Sequence, residues 1–147
     1  MGQVRRADAN WSGDLLSGGG AVSTATSGVF DNQAITWRAR TEASEGKTSP
    51  EELLAAAHAS CYSMALSHEL AQAGHAPERV DVSVEVSADK GESGWTVQRS
   101  AITVRAKVPG ADEALFQEKA LAAKGGCPIS RAISDSVEIT LEATLEA

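Results

Sequence analysis

A chain of 147 residues, 42% hydrophobic and 22% charged, has the size and composition of one domain with a packed core, which excludes a disordered or collagen-like protein. Its net charge of −7, with no basic cluster longer than Arg5-Arg6, sets it against a nucleic-acid backbone as partner. No apolar run nears the roughly 20 residues of a membrane span, and Met1 to Asn10 lacks the apolar stretch of a secretory signal, so the chain reads as cytoplasmic, without a membrane partner.

Three short segments of β-like composition come first, Val4 to Trp11, Ala21 to Val29 and Ala34 to Arg40, separated by Ser17-Gly18-Gly19-Gly20 and by Asp31-Asn32. They predict an antiparallel meander. A polar loop, Glu42 to Lys47, leads into Ser49-Pro50-Glu51-Glu52, where a capping serine, a proline at the first helical position and a glutamate three residues past the cap predict a helix start. Leu53 to Ala73 has no Gly or Pro and stops at Gly74, so the helix runs about 24 residues. Between Leu53 and Cys61 no side chain is charged on any face, which predicts a central helix enclosed on most sides.

From Arg79 the period changes to two. Val80, Val82, Val84 and Val86 alternate with polar residues, Lys90 to Gly94 turns the chain, and Trp95 to Val108 returns as the second arm of a long hairpin. Asp112 caps a helix over Glu113 to Lys124, which Gly125-Gly126 ends just before Cys127-Pro128. A short helical segment to about Ile133 and a closing strand from Val137 to Leu145 complete one domain over residues 1–147, with no repeat and no linker.

Two cysteines are too few for a disulfide scaffold, and in a reducing compartment such a pair is more often catalytic, redox-active or metal-binding than structural. Cys61 lies about three turns into a helix where hardly any charge is at hand to solvate a thiolate, and a thiol there is unreactive unless a cation is supplied from elsewhere. Cys127, between a helix stop and a helix-starting proline, faces free backbone N–H groups. The competing reading makes both cysteines small core residues. His58, three residues before Cys61, shares its helical face; a Cys/His hydrolase needs a third group to orient the imidazole, and none is evident. A metal or small-ligand site from Cys61, His58, Cys127 and His68 has suitable donors, without a Cys-x-x-Cys or His-x-x-x-His pair.

Thr48-Ser49-Pro50-Glu51-Glu52-Leu53, the run Ala56-Ala57-His58-Ala59-Ser60-Cys61-Tyr62-Ser63-Met64-Ala65-Leu66-Ser67, and Gly126-Cys127-Pro128-Ile129-Ser130 together resemble the OsmC/Ohr family of thiol-dependent peroxidases, in particular its OsmC branch. Trp11-x-Gly13-Asp14, Gly20-x-Val22-Ser23-Thr24 and the Val108-Pro109-Gly110 turn extend the likeness over nearly the whole chain. The resemblance implies an α+β fold, with antiparallel strands wrapped around a long central helix in an intertwined homodimer. It implies reduction of hydroperoxides without a cofactor or metal, Cys61 being peroxidatic and Cys127 resolving, and re-reduction by an external thiol that in relatives is often a lipoylated protein. It also implies an arginine and a glutamate at the sulfur. The glutamate maps to Glu51 and the arginine to Arg40, with Arg38 a second candidate, since strand alternation puts both arginines on one face. A thiolate, a cation to hold it and the peroxide oxygen, and a carboxylate to fix the cation's fork form a sufficient chemical set. Glu51 and Cys61 are ten residues apart on one helix, roughly 15 Å along its axis. A compact site therefore needs Arg40 to bridge the gap or a Glu51 from a partner chain.

Overall fold

Residues 2–147 are described in the computed structural model, in two units: one up to Leu53, the other Leu54–Ala147. The first unit is built on an antiparallel sheet of β1 (Asp8–Ser12), β2 (Gly19–Ser23) and β3 (Gln33–Ile35), in the order β1-β2-β3. The first turn and the strand that leaves it depend on the absence of side chains: a Cβ on Gly18 would lie 2.3 Å from the Asp14 carbonyl oxygen, and one on Gly20, in β2, would lie 2.0 Å from that of Asn10. The Asp14 carboxylate ties the same turn by accepting the N–H groups of Leu16 and Ser17 at 2.9 and 2.8 Å.

The expected third strand, Ala34 to Arg40, is corrected. The strand ends at Ile35, Thr36 accepts the Ala39 N–H at 3.1 Å on its hydroxyl, and Trp37–Thr41 form a short helix, α1. A capping threonine followed by Trp-Arg-Ala-Arg, with no β-branched residue among those four, favours the helical turn over a continued strand. Helical rotation puts residues two apart on nearly opposite sides, so Arg38 and Arg40 do not share a face.

Helix α2 (Pro50–Gln72) starts as its sequence dictates, with Ser49 Oγ accepting the Glu52 N–H at 3.1 Å, while the Glu52 carboxylate takes the Thr48 hydroxyl at 3.0 Å. Gly74, at φ 85°, ends it. In the second unit, β4 (Arg79–Gly91), β5 (Gly94–Lys107) and β6 (Glu138–Glu146) form a sheet in that order, with α3 (Glu113–Gly126) and α4 (Pro128–Ile133) between β5 and β6. The predicted hairpin is β4-β5. The closing strand pairs parallel to β5, so the strands are not all antiparallel: α3 and α4 carry the chain back before β6 begins, the crossover that parallel pairing needs. Helix α3 continues through Gly125 and Gly126, neither of which takes a positive φ, and stops at Cys127.

The core of this unit is the α2 stripe Tyr62, Leu66 and Leu70, packed with Ile102, Val104 and Ala106 of β5 and with Phe116 and Ala120 of α3. Each large side chain so buried contributes roughly 1.5–3 kcal/mol. Tyr62 stays there because its hydroxyl donates to the Ala120 carbonyl at 2.9 Å. The expected enclosure of α2 on most sides is not met by the chain itself. Only the i, i+4 stripe from His58 to Leu70 is buried, and Ala56, Ser60 and Met64, uncharged residues at the same spacing, are exposed, Met64 at 67%.

Candidate active site

Four predicted site residues stand in two pairs, one in each unit. Cys61 and Cys127, both free thiols, are neighbours in the second unit, close enough to shift each other's pKa, although α2 and the α3–α4 junction are far apart in sequence. Cys127 is buried and serves two helices: its N–H donates to the Ala123 carbonyl at 2.9 Å to end α3, and its carbonyl accepts the Arg131 N–H at 3.0 Å to begin α4. Pro128 follows at the first helical position, where its missing N–H costs nothing. Cys61 is half-buried on α2 and borders an open cleft of about 400 Å³ with Met64, Ala65, Ala123 and Pro128, a mostly apolar lining to which His68 and Glu69 add polar groups.

The two sulfurs differ in electrostatics. Burial, then the hydrogen bond with Cys127, pushes the Cys61 thiol above its ordinary pKa, against a smaller effect of the Ile129 N–H. Burial acts in the same sense on Cys127. There it is overcome by the Ser130 N–H, the Cys61 thiol, the Ser130 hydroxyl and the Ile129 N–H, so this thiol lies below its ordinary value. The start of α4 thus performs the anion-stabilising role expected of free N–H groups at Cys127.

Arg40 and Glu51 form the second pair, in the first unit. Arg40 Nε lies 2.9 and 3.1 Å from the two Glu51 oxygens, and its Nη2 lies 2.7 Å from Oε1, a forked contact in which the carboxylate is 13% exposed. The guanidinium also lies over the Trp37 ring, 5.7 Å from its centroid. Arg38 instead pairs with Glu42 at 3.1 Å and Glu45 at 3.6 Å in an exposed cluster. Glu51 holds Arg40 in a fork through two of its nitrogens on a mostly buried carboxylate, whereas Arg38 meets each of its two exposed carboxylates through a single nitrogen.

Sequence reasoning missed the partners of His58. The imidazole is fully buried, with Nδ1 2.7 Å from Ser100 Oγ on β5 and Nε2 2.7 Å from Ser130 Oγ on α4. Burial holds its pKa below the ordinary histidine value, which favours the neutral ring. A signal existed: His58 begins the Tyr62-Leu66-Leu70 stripe, and Ser100 alternates in phase with Ile102 and Val104. A buried imidazole has to find hydrogen-bond partners. Among the described residues no group of three or more His, Cys, Asp or Glu is arranged to hold a metal ion. No described helix is long and apolar enough to cross a membrane.

Residues 43–142 match the family model for OsmC-like protein. The chain is 41% identical over 143 residues to peroxiredoxin OsmC of Escherichia coli, covering 97% of each chain. Among solved structures it is similar to the organic hydroperoxide resistance protein OhrB of Bacillus subtilis, with a TM-score of 0.72 at 27% identity over 95% of this chain and 98% of that one. It is likewise similar to an organic hydroperoxide resistance protein OsmC from Legionella pneumophila, with a TM-score of 0.70 at 25% identity over 97% of each chain.

Proposed function

The chain belongs to the OsmC-like family, and on that premise we propose that it is a thiol-dependent hydroperoxide reductase whose whole length acts as one OsmC-like domain. The observation that carries the chemistry is that the two thiols are packed as neighbours and shift each other's pKa. In the first step the Cys61 thiolate attacks the distal oxygen of an organic hydroperoxide; the O–O bond breaks, the alkoxide leaves as the alcohol after taking a proton, and Cys61 becomes a sulfenic acid. Cys127 then displaces the sulfenic oxygen as water, giving a Cys61–Cys127 disulfide. An external dithiol, with the lipoyl group of a lipoylated protein as the proposed class, returns both thiols. The mostly apolar lining beside Cys61 favours organic hydroperoxides. A thiol count tests the reading: one equivalent of cumene hydroperoxide per chain converts two titratable thiols to none, and dihydrolipoamide restores both. Two thiols left intact by peroxide would refute it.

The roles proposed for Arg40 and Glu51 follow from the thiol chemistry. A half-buried Cys61 whose thiol is disfavoured as an anion needs an oriented cation, and a guanidinium forked on a carboxylate is such a cation.

A homodimer completes the proposal. The Ala56-Ser60-Met64 face of α2 is uncharged yet exposed in the single chain, as is β1 along its whole length, and a second copy would cover such surfaces. Sedimentation velocity at micromolar concentration is expected to give twice the chain mass, and Met64→Glu to shift the species toward monomer with loss of activity. A fully active monomer would defeat this part of the proposal.

A further inference from the structure

Nothing in the two-cysteine scheme uses His58, yet it is a fully buried imidazole with both nitrogens bonded at 2.7 Å, in a stripe whose other members are Tyr62, Leu66 and Leu70. A leucine there would satisfy the core. The bonds form a line, Ser100 Oγ, His58 Nδ1, His58 Nε2 and Ser130 Oγ, and Ser130 lies three residues past Cys127, whose thiol its hydroxyl makes more acidic. Each serine hydroxyl both donates and accepts, so the line has two proton arrangements. In one, Ser130 donates to His58 Nε2, His58 Nδ1–H donates to Ser100, and Ser130 Oγ is free to accept the Cys127 thiol proton. In the other, Ser100 donates to Nδ1, Nε2–H donates to Ser130, and the Ser130 hydroxyl points at a Cys127 thiolate.

We propose that His58 is a positioning residue for disulfide closure: held between Ser100 and Ser130, it aims the Ser130 hydroxyl at Cys127 Sγ and receives through it the proton that the thiol loses. The proposal rests on the reading of Cys127 as the resolving cysteine. As the Cys127 thiol gives its proton to Ser130 Oγ, Ser130 passes its own to His58 Nε2. The Cys127 sulfur supplies the electron pair of the new S–S bond and is oxidised. The S–O bond of the Cys61 sulfenic acid breaks, that sulfur is reduced, and hydroxide leaves and becomes water with a proton from solvent. His58 returns its extra proton to solvent, which its neutral resting state favours. Cys61 and Tyr62 on α2 act on the Cys127 sulfur, and Lys124 on α3, Arg131 on α4 and Glu138 on β6 line a cleft together with Ser130. None of the relay substitutions alters them.

Ser130→Ala removes one oxygen and tests the line with little risk to folding; Ser130→Thr restores the hydroxyl, and His58→Gln keeps hydrogen bonding without a titratable ring. In a Cys61→Ser background Cys127 is the only thiol, and its ionisation is followed against pH by the ultraviolet absorbance of the thiolate, a readout that needs no reagent to reach the buried sulfur. Ser130→Ala is expected to raise the midpoint by about one pH unit, an approximately tenfold loss of thiolate at neutral pH, and Ser130→Thr to return it. With both cysteines present, quenched-flow mass analysis after one equivalent of cumene hydroperoxide is expected to show disulfide closure slowed about tenfold by Ser130→Ala or His58→Gln, well beyond any slowing of the first oxidation. Wild-type closure and an unchanged thiolate titration in Ser130→Ala would overturn the proposal alone, as would equal slowing of both steps. A wild type that never loses two hydrogens would overturn it together with the resolving role of Cys127.

Discussion

Cys61→Ser is expected to abolish reduction of cumene hydroperoxide, whereas Cys127→Ser is expected to consume one equivalent rapidly and then stall. Acidity and access pull in opposite directions here. Cys127 is the more acidic thiol, held down by the N–H groups at the start of α4, while Cys61 is held up by burial. Acidity alone would make Cys127 the attacking sulfur. Access decides otherwise, because Cys127 has no exposed surface and Cys61 borders the open cleft. A peroxide that cannot reach a sulfur does not react with it at any pKa. In Cys127→Ser the Cys61 sulfenic acid has no thiol to condense with, so intact mass should show one added oxygen, then a second as further peroxide converts it to sulfinic acid. An external thiol added early should rescue cycling. Consumption of peroxide by Cys61→Ser, with an inert Cys127→Ser, would mean that acidity wins and the roles are exchanged.

Arg40→Ala is expected to lower kcat/KM for the same substrate by about 10²-fold, the scale on which removal of one preorganised charge-stabilising donor acts. Arg38→Ala should stay within about twofold, since Arg38 lies in an exposed cluster with Glu42 and Glu45, where ion pairs are worth little. Arg40→Lys should recover only part of the loss. An ammonium supplies the charge, but not the planar fork that meets both Glu51 oxygens. Steady-state kinetics on the three variants checks this, and an Arg38→Ala enzyme slower than Arg40→Ala would transfer the role to Arg38.

Much of this architecture is legible in the residues. Ser49-Pro50-Glu51-Glu52 announces the start of α2, and the alternating valines announce β4, because capping and pleating are local events. The turn at Trp37 is not legible in the same way. Ala34 to Arg40 is too short to show a period, and one threonine hydroxyl reaching the Ala39 N–H is enough to turn the backbone. The parallel pairing of β6 depends on how α3 and α4 lead the chain back, which no pattern within β6 records. At the site, the cysteines are conspicuous by type. The His58 line is hidden because its members lie on α2, β5 and α4, and only packing brings them together.

Contact between thiols so far apart in the chain also links redox state to folding. The intervening segment, positions 61 to 127, spans nearly half the molecule. A cross-link there restricts the unfolded ensemble far more than the native one, in which the sulfurs are already neighbours, and the chain-entropy model puts the difference at about 4 kcal/mol. Each proposed oxidation therefore makes the protein harder to denature, and each reduction makes it softer. Urea titrations of the two forms would measure the gap. A peroxide surge would leave the oxidised population as the one most resistant to unfolding.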